Sequence, residues 1–247
     1  MHGYVGLVLP VTRKGREVLV LKLSWVDPET EQEADALAAW SGEGAVRLIS
    51  SDRDEGALLL ERLDAARDLR TLAPCEAMEI AGGLLRRLAI PAPSWARRLD
   101  DEAAALRQAL PERWHATGRC LPRTLVERTL ELIEVLTPAD GDLLVDTDLH
   151  HENVLSGGRE PWLAIDPKVV AGDPEFGVAQ LLWQPHSGAS CRADLERLFG
   201  VLVDAAGLDR ERARGWTLVR ILDYWLWAQQ FGLTRDAARC ERLVAWL

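Results

Sequence analysis

The chain has 247 residues, 48% of them hydrophobic, and a formal net charge of −10, enough material for one large domain or two lobes around an ample core. The acidity excludes nucleic acid as a partner, since binding it requires clustered Lys and Arg. No apolar run reaches the roughly 18 residues of a membrane span, and the start, MHGYVGLVLPVTRKG, lacks the ordered regions of a signal peptide, so a soluble cytoplasmic protein is expected.

In chain order, Tyr4 to Val11 and Glu17 to Leu23 read as an antiparallel hairpin around Arg13-Lys14-Gly15. Of 29 basic residues only Lys14, Lys22 and Lys168 are lysine, so a lysine inside the apolar strand VLVLKLS calls for a reason. Such a strand in a kinase carries the lysine that reaches the nucleotide phosphates; an outward-facing lysine on an alternating strand is the plainer alternative. Asp27-Pro28 then reads as a helix start, with the helix running through EQEADALAAW to Gly42. Glu33, Leu37 and Trp40 share one helical face, which makes Glu33 the expected partner of Lys22.

Val46 to Ser51 and Ala57 to Glu61 form a second predicted hairpin, after which LDAARDLRTL reads as a polar crossover without strand character. Helical spacing dominates from there: Cys75 to Ile90, Ser94 to Leu110 and Leu121 to Leu136 each stop before a proline. Further helices are expected at 176–183, 193–205, 210–231 and 235–246. Of three tryptophans in the third of these, Trp216, Trp225 and Trp227, most are expected in the core, with one available for cation–π contact with a substrate. Four scattered cysteines, Cys75, Cys120, Cys191 and Cys240, suggest neither a zinc site nor a disulfide framework.

The stretch from Leu143 to Trp183 carries the chemistry. The apolar run Leu143 to Val145 ends in Asp146, Thr147, Asp148, His150, His151, Glu152 and Asn153, and a hairpin, Val154 to Ser156 and Trp162 to Asp166, turns at Gly157-Gly158. Asp148 and Asn153 are five apart, the spacing of a kinase catalytic loop in which the Asp accepts the substrate proton and the Asn holds a metal ion. Asp166, thirteen residues on, stands where a second metal-binding carboxylate would. Phosphoryl transfer needs such hard oxygen ligands to hold the ions that offset the charge of the transferred group. As plain structure, Asp148 and Asn153 would be turn residues and Asp166 a cap. The adjacent His150 and His151 lack a third metal ligand at suitable spacing and read as loop packing; Asp173 before Pro174 reads as a helix cap.

The combination DLHHENVL, WLAIDPK and GDPEFG resembles the aminoglycoside phosphotransferases, in particular the streptomycin 6-phosphotransferase and hydroxyurea-kinase branch, densely over 143–183 and recognisably over most of the chain. The resemblance implies Asp148 as catalytic base, Asn153 and Asp166 as magnesium ligands, and ATP with Mg2+ as cofactors. It implies an α+β, protein-kinase-like two-lobe fold: a nucleotide-binding β lobe at 1–62, a crossover linker at 63–72 and a helical catalytic and substrate lobe at 73–247. By analogy, Lys22 and Glu33 serve the phosphates and the adenine edge meets the crossover backbone at Glu61 to Leu63. The expected reaction is phosphorylation of a hydroxyl on a small, cationic acceptor, streptomycin-like first and hydroxyurea second. The alternatives are a kinase of another small metabolite or a catalytically lapsed binding module. One departure stands out: the family reads His-Gly-Asp where this chain has Asp146-Thr147-Asp148, so the loop-bracing histidine and the flexible glycine are both missing. The small lobe also shows four strands where the family has five, with only Gly3 and Gly6 left of the glycine-rich loop. That pattern predicts weak nucleotide affinity and an open strand edge covered by a homodimer partner or a folded-back terminus.

Overall fold

The computed structural model describes residues 6–13, 15, 17–25, 30–138, 141–184 and 188–247. The strand alternation at the start yields a four-stranded antiparallel sheet of order β1-β2-β4-β3, built from β1 (Gly6–Arg13), β2 (Glu17–Ser24), β3 (Leu48–Asp52) and β4 (Ala57–Glu61). Lys22 sits on the interior strand β2, opposite Val8 on one side and Leu58 on the other. β1 forms an edge of the sheet and exposes Leu7 and Leu9. The expected strand start at Tyr4, Gly3 of the loop remnant and the turn residue Lys14 lie outside the described residues.

The first helix, α1 (Glu33–Trp40), begins later than the Asp27-Pro28 signal, which also falls outside the described residues. Its buried face, Glu33, Ala36, Leu37 and Trp40, lies toward the core, and Ser41 closes it in the left-handed region. The chain then turns back onto the catalytic hairpin. Val46 N–H donates to Ala164 O at 2.8 Å and Ala164 N–H to Gly44 O at 2.9 Å.

The crossover departs from expectation. Residues Asp64–Asp68 form a strand, β5, which pairs antiparallel with β7 (Val154–Ser156), itself paired with β8 (Leu163–Ala164). The side chains of Asp64, Ala65, Ala66 and Arg67 hid this strand because all four face solvent and leave no buried apolar alternation to read. A second unanticipated strand, β9 (Val169–Gly172), pairs with β6 (Leu143–Asp146) and sets Asp146 opposite Val169.

The remaining chain is helical: α2 (Pro74–Leu88), α3 (Leu99–Ala116), α4 (Arg123–Leu136), α5 (Ala179–Trp183), α6 (Arg192–Ala206), α7 (Arg210–Gln230) and α8 (Thr234–Trp246). α3 runs through Pro111, which was expected to stop it. α7 packs along α3, α4, α5 and α8 and contributes Trp216, Ile221, Leu222 and Leu226 to the core. No helix among the described residues is long and apolar enough to cross a membrane.

Asp173 has a larger role than the expected cap. Its side chain makes no capping bond; it accepts from Arg212 Nε at 3.0 Å, from the Trp216 indole at 3.0 Å and from Gly141 N–H at 3.0 Å. A fully enclosed carboxylate is costly unless paired and hydrogen-bonded. These partners meet that need and fasten α7 beneath the catalytic segment.

Candidate active site

β6 delivers Asp146 and the following loop to the cleft face, and a short 3-10 turn, His151–Asn153, returns the chain into β7. Asn153 Nδ2 donates to the Asp148 carbonyl oxygen at 3.0 Å, which closes the loop and leaves the amide oxygen of Asn153 as its acceptor atom. The Asp148 carboxylate is oriented from two sides: Gln180 Nε2 donates to Oδ1, and Lys168 Nζ lies 3.6 Å from Oδ2. Asp166, just beyond β8, adopts a φ of 55° and presents a half-exposed carboxylate. A non-glycine residue held in the left-handed region is uncommon and concentrates at functional positions.

Lys22 joins the two parts of the site. Its Nζ lies 2.6 Å from Glu33 Oε2 and also pairs with Asp166 Oδ1. Burial works to lower the Lys22 pKa, but the two carboxylates outweigh it and raise it, so the ammonium keeps its proton. Burial pushes Glu33 up to about 7 against the pull of Lys22. One cation thus serves two carboxylates, and Asp166 holds the more exposed share.

The loop lacks a histidine brace and is held by other groups. Thr147 N–H and Oγ1 both donate to Lys168 O, at 2.7 and 3.1 Å, and Asp148 N–H donates to Asp146 Oδ1 at 3.0 Å. Arg220 of α7 donates to Thr147 O at 2.9 Å and to Phe176 O at 3.0 Å, with its guanidinium over the rings of Phe176 and Trp183. Removal from solvent draws the Arg220 pKa down to about 10, which leaves it charged at neutral pH. Burial drives the Asp146 carboxyl up to about 8, against the Asp148 N–H it accepts. Gly177 closes the floor: a Cβ there would meet Asp146 O at 2.7 Å.

Glu61 is engaged within the sheet. Its carboxylate accepts Arg47 N–H at 2.8 Å and pairs with Arg159 at 2.7 Å, and its N–H donates to Arg47 O at 3.0 Å. Leu63 packs half-buried on the core. His150 Nδ1 accepts Glu152 N–H at 3.2 Å and His151 is buried near Asp68, so both histidines serve the loop.

A cavity of about 710 Å³ opens on the far side of Asp148, and Glu102, Asp223, Tyr224, Trp227 and Asp236 line it. Trp216 and Trp225 are buried, while Trp227 is 38% exposed. Burial and the neighbouring Asp236 push the Tyr224 hydroxyl up to about 12.

Residues 1–232 match the family described as aminoglycoside/hydroxyurea antibiotic resistance kinase. The chain belongs to this family. It is 42% identical to a hydroxyurea phosphotransferase of Kitasatospora aureofaciens, over 99% of this chain and 71% of the relative. It is 38% identical to a streptomycin 6-kinase of Streptomyces griseus, over 95% of this chain and 78% of that one. Among solved structures, a choline kinase from Streptococcus pneumoniae superposes with a TM-score of 0.66 at 13% identity, covering 100% of this chain and 91% of that one. A spectinomycin phosphotransferase solved with ADP and spectinomycin gives 0.57 at 15%, covering 99% and 84%. The kinase therefore has the protein-kinase-like fold that its motifs implied.

In this kinase the structure brings Lys22, Glu33 and Asp166 into one ion-pair cluster and holds Asn153 against Asp148. Sequence reasoning missed Arg220, Gln180, Lys168 and the pocket face of Tyr224. Only Lys168 carried a usable signal, as one of three lysines in an arginine-rich chain. Arg220 and Tyr224 are single residues on the long helix α7 and Gln180 is one on the five-residue α5, indistinguishable by spacing from solvated or core positions.

Proposed function

We propose that this kinase transfers the γ-phosphoryl group of ATP to a hydroxyl of a cationic, streptomycin-sized small molecule. The observation that carries this reading is the position of the Asp148 carboxylate: it lies on the wall of the 710 Å³ cavity, within one short loop of Asn153 and across from Asp166. Asp148 would accept the acceptor's hydroxyl proton as its oxygen bonds to phosphorus. Gln180 and Lys168 hold that carboxylate in direction.

The residues present fit Mg-ATP. Asp166 and the amide oxygen of Asn153 are hard oxygen donors suited to a magnesium ion, and the Lys22 ammonium stands beside Asp166, where a polyphosphate would compete for it. The bound nucleotide and metal supply the phosphoryl group and offset the charge developing on it. Residues 1–62 would carry the nucleotide, 63–72 the crossover and 73–247 the acceptor. The need for ATP supports a cytoplasmic location for such a kinase.

The cavity favours streptomycin over hydroxyurea as the type of acceptor. Its volume lies in the range of drug-sized pockets, about 300–1,000 Å³, and hydroxyurea would leave most of it empty. The lapsed-module alternative is disfavoured because Thr147, Asp146 and Arg220 supply the bracing that the missing histidine and glycine would give.

Radiolabelled ATP assayed against streptomycin, spectinomycin, choline and hydroxyurea tests the proposal. Labelled streptomycin is the expected product. Transfer to hydroxyurea or choline in preference would overturn the acceptor assignment, and no transfer to any of them would overturn the kinase reading itself.

A further inference from the structure

α7 and its C-cap carry Arg220, Tyr224, Trp227 and Phe231 at intervals of four, three and four, so one helical face presents four planar groups in a row. Trp183 of α5 lies nearly parallel to Tyr224, with centroids 4.9 Å apart and planes 10° apart; Tyr224 and Trp227 follow at 5.6 Å and 18°, and Trp227 and Phe231 at 5.0 Å and 43°. The row begins at the catalytic loop, where Arg220 holds Thr147 O, and ends at the surface. Trp183 is 7% exposed, Trp227 38% and Phe231 62%.

A stack made only for packing would be covered at both ends. This one is covered at the Trp183 end and open at its outer rings, Trp227 and Phe231, and Tyr224 and Trp227 form part of the wall of the cavity beside Asp148. The inner end shows which chemistry the row accepts: the chain's own Arg220 guanidinium lies 5.2 Å from the Trp183 centroid. Carboxylates line the same cavity wall. Asp236 of α8 lies next to Tyr224, and Glu102 of α3 lines the same cavity. A flat, weakly hydrated cation gains from both an aromatic face and an in-plane carboxylate, whereas a compact ammonium keeps its hydration more tightly.

We propose that Tyr224 and Trp227, with Asp236 and Glu102, form a subsite for a planar cationic group of the acceptor, a guanidinium or amidinium, held apart from the hydroxyl that meets Asp148. The subsite rests on the reading of this protein as a small-molecule phosphotransferase, and it specifies which acceptors that enzyme selects. Trp227 lies seven residues along α7 from Arg220, a rise of about 10 Å. An acceptor must therefore span roughly that distance between its cation and its reacting hydroxyl.

The test is a binding comparison that needs no turnover. Streptomycin, which carries guanidinium groups, and the same molecule with those groups hydrolysed to amines are titrated by calorimetry into the wild-type chain, Trp227→Leu and Trp227→Phe. Wild type should bind the guanidinium form about tenfold more tightly than the amine form; Trp227→Leu should lose most of that preference, and Trp227→Phe should restore much of it. Circular dichroism checks that the Leu variant is folded, and Tyr224→Leu serves as a second probe if it is not. Equal affinity of wild type for the two ligands, or a preference untouched in the folded Leu variants, would overturn the subsite. Selective binding without phosphorylation would leave the subsite standing and sink the kinase reading.

Discussion

Arg220 Nη2 donates to the carbonyl oxygen of Thr147 at 2.9 Å, so a helix from the C-terminal part of the chain holds the residue just before Asp148. Replacing Arg220 with Met keeps much of the stem and removes the donors. Misplacing a catalytic group by about 1 Å costs about a hundredfold in rate, and turnover should fall to that extent while the KM for ATP moves little. Arg220→Lys should recover part of the loss. Steady-state kinetics decide it, and an unchanged kcat in the Met variant would show that the loop stands without this bond.

Asp148→Asn removes the proposed base and leaves the proposed metal donors, Asn153 and Asp166, in place. Turnover should fall by about two to four orders of magnitude, with nucleotide affinity retained. Asp166→Asn removes a metal-suited carboxylate and releases Lys22 from one of its two partners, so nucleotide affinity should fall together with rate. Calorimetry with Mg-ATP separates the two variants; matching affinity losses would refute the division of labour between them.

Asp146 gives the chain a pH dependence with a definite sign. Its carboxyl titrates near 3.8 when solvated and near 8 in the fold, so between those values the folded state holds a proton that the unfolded state releases. Its stabilising contribution is complete below about pH 4 and disappears as pH rises through 8. Asp146→Asn mimics the neutral acid, so its melting temperature should fall less with pH over that window than that of wild type. Each kcal/mol of difference corresponds to about 2–4 °C in a chain of this size. Parallel melting curves for the two proteins would contradict the buried, protonated state.

The acceptor cavity presents Glu102, Asp223 and Asp236 in partly exposed positions, although Asp223 is already paired with Arg113 and Asp236 with Arg239. Solvent-accessible charge pairs weaken as salt shortens the Debye length, from about 10 Å at 0.1 M to about 3 Å at 1 M. The KM for a cationic acceptor should therefore climb with ionic strength more steeply than the KM for ATP. A flat acceptor response would point to a neutral substrate.

The parts of the fold that were legible in the sequence are those in which side-chain pattern and backbone state agree. The β2 alternation, the i, i+4, i+7 face of α1 and the apolar stripes of α2, α4 and α6 all fell close to their observed places. β5 escaped because its pairing with β7 is a main-chain matter, and its side chains record only solvent. Pro111 misled for the opposite reason: a proline signals the end of a helix, but Trp114, packed against the core with its indole donating to Leu121 O at 2.9 Å, holds the turn of α3 beyond it. Within the site, the loop residues were legible from spacing alone. The residues that hold the loop were not, because Arg220 and Gln180 reach it from helices remote in sequence.

The small sheet is stitched to the catalytic hairpin by main-chain bonds: Val46 and Gly44 grip Ala164, two residues before Asp166, and Arg159 ties Ala45 to Glu61. A clamshell swing of one half against the other would have to tear those bonds. Movement of the sheet against the hairpin that carries Asp166 is therefore limited where Gly44 and Val46 meet Ala164.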